Sequence, residues 1–282
     1  MRDWNLTRTF ESPQGAVRWD AFGSGPPIVL LHGTPNWSWI WRKVVPLLAE
    51  RHRVFVFDWP GFGNSDRHEG QNISWEEQPR RLVELLAHWE LDAPTVVAFD
   101  FAPIFALRAH LLHGARFGSL VLADAAVIPR FVTDFSRLAR EHIGVFRQLP
   151  VYVAEAMIES HVRRATHRPL SEDAREGYMR PWRGRDGVAA YWRAVAQYDE
   201  SMARPVAERL GELTVPTLVL WGQEDRWLPP AMGRTLAAAI PGAELKFVPE
   251  AGHFLPEDAP EAFAESVAAF CRRHNEDMRY VV

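Results

Sequence analysis

The sequence has almost no thiol chemistry: its 282 residues contain one cysteine, Cys271. A lone cysteine excludes an internal disulfide and lacks the spacing of a metal-ligand set, so a cytoplasmic address is the expectation. Long apolar runs are missing too. None approaches the roughly 18 residues needed to cross a bilayer, and the opening MRDWNLTRTFESPQG lacks the apolar run of a secretory leader. Neither sign of charge dominates. Thirty-two Lys+Arg against 36 Asp+Glu leave a net charge of −4. With no long basic run, that balance argues against a nucleic-acid partner. Tyrosine is scarce, at five residues, whereas tryptophan numbers twelve. The tryptophan excess raises the question of whether these rings fill the core or line a site. The remaining composition, 47% hydrophobic and 24% charged, is that of an ordinary globular protein long enough to bury a large core. A small-molecule partner, no membrane, and a monomer or homodimer are expected.

Short apolar runs recur along the chain. Val17 to Phe22 alternates, and Ile28 to Leu31 follows Gly25-Pro26-Pro27. Arg53 to Phe57, Thr95 to Phe99, Ser119 to Ala123, Thr217 to Trp221 and Glu244 to Val248 repeat the type. Runs of four to six residues rich in Val and Leu suit parallel strands covered on both faces. Amphipathic stretches near 39–50, 75–89, 104–113, 229–239 and 258–273 separate them. The alternation predicts an α/β fold with a mostly parallel sheet flanked by crossover helices.

One region breaks the rhythm. From 127 to 212 no strand run is evident, and Pro129, Pro150, Pro169, Pro181 and Pro205 punctuate an Arg-rich helical pattern. This predicts a core made of residues 1–126 and 213–282 and an inserted helical cap at 127–212. Such a cap would cover the carboxyl ends of the strands, where open α/β sheets bind ligands.

Four strand ends carry polar residues: His32-Gly33-Thr34-Pro35, Asp100, Gly222-Gln223-Glu224-Asp225, and Pro249-Glu250-Ala251-Gly252-His253. The order nucleophile, acid, histidine is that of a hydrolytic triad. Small residues, Ala98 and Ala102, flank Asp100, as a tight strand-to-helix turn requires. An aspartate in that turn changes the chemistry expected of a serine. A carboxylate attacks poorly at acyl carbon but displaces leaving groups from saturated carbon, leaving an alkyl ester on the protein. Water must then hydrolyse that ester, with His253 as base and Asp225 as the acid that orients it. Backbone N–H groups of Thr34 and Phe101 would hold the oxyanion.

On these residues the sequence resembles the haloalkane dehalogenase and epoxide hydrolase branch of the α/β-hydrolase superfamily. The matching text is LLHGTPNWSWIWRKVVPLLA at 30–49, VFDWPGFGNSD at 56–66, AFDFAP at 98–103, LWGQEDRWLP at 220–229 and EAGHFLPEDAP at 250–260. The resemblance covers roughly 15 to 273. It implies an α/β-hydrolase fold with Asp100 as nucleophile, His253 as base and Asp225 as acid. Asp124 is the alternative acid, because some dehalogenases place theirs at the end of the preceding strand. Three positions depart from the branch: Phe99 stands for its usual His, and Ala102 and Pro103 for its two glycines. The Trp that holds halide directly after the nucleophile is Phe101 here, and Phe has no N–H to donate. Trp37, Phe99, Tyr152, Trp182, Tyr191 and Trp192 are the side chains expected at the substrate or leaving group.

The reaction implied is hydrolysis of small to medium apolar substrates, dehalogenase-like. The alternative is epoxide opening with a cap tyrosine as acid; Tyr152, Tyr178, Tyr191 and Tyr198 all fall within 127–212. A lyase or cyclase on the same fold, and a non-catalytic binding protein, are further alternatives. No cofactor or metal is implied.

Overall fold

The computed structural model describes residues 4–277; Met1–Asp3, where the segment read for a leader begins, lie outside them. Eight strands form one sheet: β1 Arg8–Ser12, β2 Gly15–Phe22, β3 Pro27–Leu31, β4 Arg53–Phe57, β5 Thr95–Phe99, β6 Ser119–Ala123, β7 Thr217–Gly222 and β8 Glu244–Val248. Their order is β1-β2-β4-β3-β5-β6-β7-β8. From β4 onward every pairing is parallel, whereas β2 is antiparallel to both β1 and β4. All seven expected strands are present within one or two residues of their expected ends.

β1 was not expected. Its sequence, RTFES, lies at the sheet edge with mostly exposed residues, so it carries no apolar run to read. Pairing with β2 across a tight turn makes it a strand, and Ser12 Oγ closes that turn by donating to the Gly15 carbonyl at 2.6 Å. The central strands behave in the opposite way. β5 and β6 are buried at every residue, as continuous Val/Leu runs demand when helices cover both faces.

Register fixes the site. Leu31 pairs with Ala98, Phe99 with Ala123, Ala123 with Leu220, and Gly222 with Val248. Five parallel strands therefore end at one edge of the sheet. The residues that follow them, Thr34, Asp100, Asp124, Asp225 and His253, come from sequence separations of up to 219 positions to that single edge.

Between β6 and β7 the chain makes only helices and turns, including Asp134–Glu141, Val151–Arg163, Glu172–Met179 and Gly184–Ala196. Thr133 and Ser171 cap two of these by accepting the backbone N–H three residues on. Indoles fasten the insertion to the sheet domain. Trp37 Nε1 donates to the Gly177 carbonyl at 2.9 Å, and Trp182 Nε1 donates to the Pro35 carbonyl at 2.8 Å. A buried ionic knot adds to them. Tyr178 donates to Glu257 Oε2 at 2.8 Å, while Arg42 holds the same carboxylate with two bonds of 2.6 and 3.0 Å and Lys43 adds a third at 2.7 Å. Burial alone would raise the Glu257 pKa, but Arg42 and Lys43 outweigh it and lower it. Among the described residues, no helix is long and apolar enough to cross a membrane.

Candidate active site

Asp100 sits between β5 and the helix Ala102–His113 at φ +62°, the left-handed region that non-glycine residues rarely enter. This sharp turn lifts the side chain off the end of the sheet. The backbone is pinned there: Asp100 N–H donates to the Ala123 carbonyl at 3.2 Å, and Ala126 N–H donates to the Asp100 carbonyl at 2.8 Å. Pro103 falls in the first helical turn, where a missing N–H leaves no bond unmade.

The two oxygens of the Asp100 carboxylate are held differently. Oδ1 accepts the Thr34 backbone N–H at 2.8 Å, and Oδ2 lies 2.9 Å from His253 Nε2. On its other side, His253 Nδ1 lies 2.8 Å from Asp225 Oδ2. Asp225 Oδ1 accepts the backbone N–H groups of Trp227 and Leu228 at 2.8 and 2.9 Å, which fixes the carboxylate in rotation. All three side chains are buried. Burial alone would drive the His253 pKa down. The Asp225 and Asp100 carboxylates on either side outweigh it and hold the imidazolium well above the ordinary histidine range.

Asp124 does not meet the histidine. Its Oδ1 accepts the Gly222 backbone N–H at 2.8 Å, and its Oδ2 has no partner. Complete burial, with the Asp225 charge nearby, raises its pKa well above the carboxylate range. Asp124, Asp225 and His253 are the one cluster of three metal-capable side chains among the described residues, with ligand atoms within 4.8 Å of one another. Both ring nitrogens of His253 are already engaged by carboxylates, which leaves that cluster without a free histidine ligand.

The chamber over Asp100 is small, about 20 Å³, room for about one water. Phe101, Tyr198, Trp227, Leu228 and His253 are among the residues lining it. The Tyr198 hydroxyl lies 2.9 Å from Thr34 Oγ1, and its ring meets Phe101 edge-on at 5.1 Å. Burial is the first cause, and the Asp100 charge a further one, that keeps this phenol protonated. The Trp227 ring lies between His253, at 4.9 Å, and His161, at 4.2 Å. Phe101 occupies the N-cap of its helix, one of the positions whose amide the helix leaves unbonded.

The expected pocket side chains fall elsewhere. Tyr152 is 76% exposed and lines an outer cleft rather than the chamber. Trp37 and Trp182 give their N–H groups to carbonyls, as described above. Phe99 is fully buried against His253, Trp41 and Phe254, supporting the histidine from below. Tyr191 and Trp192 pack on each other, and the Trp192 N–H has no partner between Phe135 and Phe146. Trp75 reads from the sequence as surface-helix packing, but it forms the wall behind Phe101 at 4.7 Å and contacts Tyr198 at 5.9 Å. Sequence reasoning counted Trp227 among the tryptophans near the cleft and Tyr198 among the four cap tyrosines, without naming either as a lining residue. Trp227 carried a signal, being two residues past Asp225; Tyr198 was one of four equivalent cap tyrosines.

Comparisons with known proteins agree with this architecture. The family model described as alpha/beta hydrolase fold matches residues 26–260. Haloalkane dehalogenase 2 of Mycobacterium tuberculosis is 29% identical over 271 residues, covering 93% of this chain and 93% of that protein. Haloalkane dehalogenase 1 of the same organism is 31% identical over 263 residues, covering 87% and 83%. The crystal structure of an alpha/beta hydrolase fold protein from Burkholderia ambifaria is 36% identical with a TM-score of 0.90, covering 94% of this chain and 97% of that one.

Proposed function

This chain belongs to the alpha/beta hydrolase fold family, and on that premise we propose that it cleaves small to medium substrates at saturated carbon through an alkyl ester on Asp100. The carrying observation is the Asp100 carboxylate itself, set at a left-handed turn with one oxygen on the Thr34 N–H and the other on His253. Dehalogenase-like chemistry is the favoured form, in keeping with the relatives named above.

In the first step Asp100 Oδ2 attacks the carbon, the carbon–halogen bond breaks, and halide leaves with the electron pair. Oδ1 becomes the ester carbonyl oxygen, already seated on the Thr34 N–H. In the second step water attacks Cγ and gives its proton to His253 Nε2. The negative charge develops on Oδ1, where the Thr34 and Phe101 amides hold it. Collapse breaks the ester C–O bond, the departing alkoxide takes the proton from His253 to give the alcohol, and the carboxylic acid left on Asp100 passes its proton to His253, restoring the carboxylate. Ester formation removes the Asp100 charge that helps hold His253 protonated, so the imidazolium releases its Nε2 proton to solvent before the second step and can then act as its base.

Residues 127–212 act as the cap in this scheme, with Tyr198 reaching the chamber. That phenol motivates a second reading, epoxide opening with Tyr198 as proton donor to the alkoxide. The test replaces His253 with Gln and offers 1-bromobutane and 1,2-epoxybutane while the intact protein is weighed. A mass gain equal to the alkyl group, absent in Asp100→Ala/His253→Gln, is expected. Absence of any adduct together with no wild-type turnover would sink the proposal. Tyr198→Phe separates the two readings. It should lower haloalkane turnover less than tenfold, but epoxide opening by 10²-fold or more.

A further inference from the structure

Beside the chamber over Asp100 lies a second, much larger space. An outer cleft of about 950 Å³ lies beyond Thr133, His161 and Trp227, three residues that line both cavities. Its walls carry three guanidiniums from three separate elements. Arg130 follows β6, at a left-handed φ of +73°. Arg164 ends the helix Val151–Arg163, and Arg226 follows Asp225. All three are exposed, and none forms an ion pair within the described residues. The one acid in the cleft wall, Asp134, is bound to Arg137 at 2.7 Å. Three cations line this one cleft without an ion-pair partner among the described residues, in a chain whose net charge is negative.

We propose that this cleft holds the carboxylate end of an anionic substrate whose other end reaches Asp100. The inference rests on the displacement chemistry above and names its substrate class: carboxylates bearing the leaving group at the far end of an alkyl chain. Apolar side chains of the same cleft wall, among them Val153 and Met157, suit that chain. His161, Trp227 and His253 lie in a row between cleft and chamber, with ring centroids 4.2 and 4.9 Å apart, so a chain reaching both passes three rings. At the roughly 1.2 Å advance per bond of an extended chain, that row is about eight bonds long. A two-carbon halo acid is too short to touch both ends.

Octanoate and octan-1-ol, titrated calorimetrically into Asp100→Asn, test this without requiring turnover. Octanoate should bind more tightly than the alcohol, and its affinity should fall with added salt. Each of Arg130→Gln, Arg164→Gln and Arg226→Gln should weaken octanoate binding about threefold, the size of an exposed ion pair, and leave the alcohol unchanged. Bromide release from 8-bromooctanoate and 8-bromooctan-1-ol supplies the second readout. The triple Arg→Gln variant should raise KM for the acid about tenfold or more and leave kcat within about twofold. Equal affinity for acid and alcohol, or a triple variant that binds octanoate as the parent does, overturns the assignment. If octanoate binds as expected while neither bromide is turned over, the cleft assignment stands and the displacement chemistry falls.

Discussion

At the residue scale, the site is a line of charges whose neighbours set their protonation. His253 is held as imidazolium by two carboxylates against its own burial. Removing one carboxylate must therefore lower its pKa. In Asp100→Asn, the imidazole resonances followed by NMR should titrate at lower pH than in the parent; an unchanged midpoint would contradict the charge argument. The two candidate acids should separate in the same spirit. Asp225→Asn keeps the shape but leaves His253 Nδ1–H without its carboxylate, and kcat should fall by about 10³ to 10⁴-fold. Burial raises the Asp124 pKa well above the carboxylate range, and its Oδ1 accepts the Gly222 N–H, a role asparagine can fill. Asp124→Asn should change kcat by less than about threefold. The sequence placed both acids at strand ends and favoured Asp225 from its setting. It could not show the rotation fixed by the Trp227 and Leu228 amides, because those bonds depend on a loop conformation.

At the element scale, the strand-to-helix turn and the insertion's anchors matter most. Gly33 approaches Asp100 so closely that a Cβ would overlap the carboxyl group. Gly33→Ala should cut turnover by 10²-fold or more while far-ultraviolet circular dichroism stays native, because only the Asp100 carboxyl group has to move. The insertion is anchored by indole donors. Trp182→Phe keeps the ring but leaves the Pro35 carbonyl without its donor, a loss of about 1 to 3 kcal/mol. A lower Tm by a few degrees, read by calorimetry, is the expected result. These anchors answer much of the tryptophan question. Trp37 and Trp182 join the insertion to the sheet domain, Trp41 supports Phe99, and Trp227 alone among the twelve lines the chamber. The sequence pointed seven tryptophans toward the cleft, five because they follow strand ends and two, Trp182 and Trp192, because they fall in the insertion. Position along the chain does not tell which way a ring turns.

At the scale of the whole molecule, two buried neutral histidines make stability depend on pH. His32 and His161 both have pKa values lowered from 6.5 to about 3, chiefly by burial. For His32 the bonding agrees: Nδ1 lies 2.8 Å from the Gly33 carbonyl, while Nε2 accepts the Trp59 backbone N–H at 3.1 Å. The sign follows directly. Below pH 6.5 the unfolded chain takes up a proton at each site and the folded chain does not, so stability falls with acidification down to about pH 3. Each site contributes a slope of about 1.4 kcal/mol per pH unit. His161→Gln should flatten the pH dependence of urea unfolding by about one proton between pH 6 and 4; an unaltered slope would refute it.

The sequence by itself determined the sheet and the chemical set at its edge. Buried parallel strands must be continuous apolar runs, and a turn with small neighbours at Ala98 and Ala102 can be read locally. It also set the helical character of residues 127–212, through the absence of strand runs. What it left undetermined is wherever a weak local signal is overridden by pairing or packing. β1 is a strand only because β2 lends it hydrogen bonds, and Tyr198 reaches the chamber only because the insertion folds that way. The three arginines of the outer cleft are 34 and 62 positions apart. Tertiary structure alone brings them together, since nothing in their local sequence distinguishes a convergent cation from a solvated one.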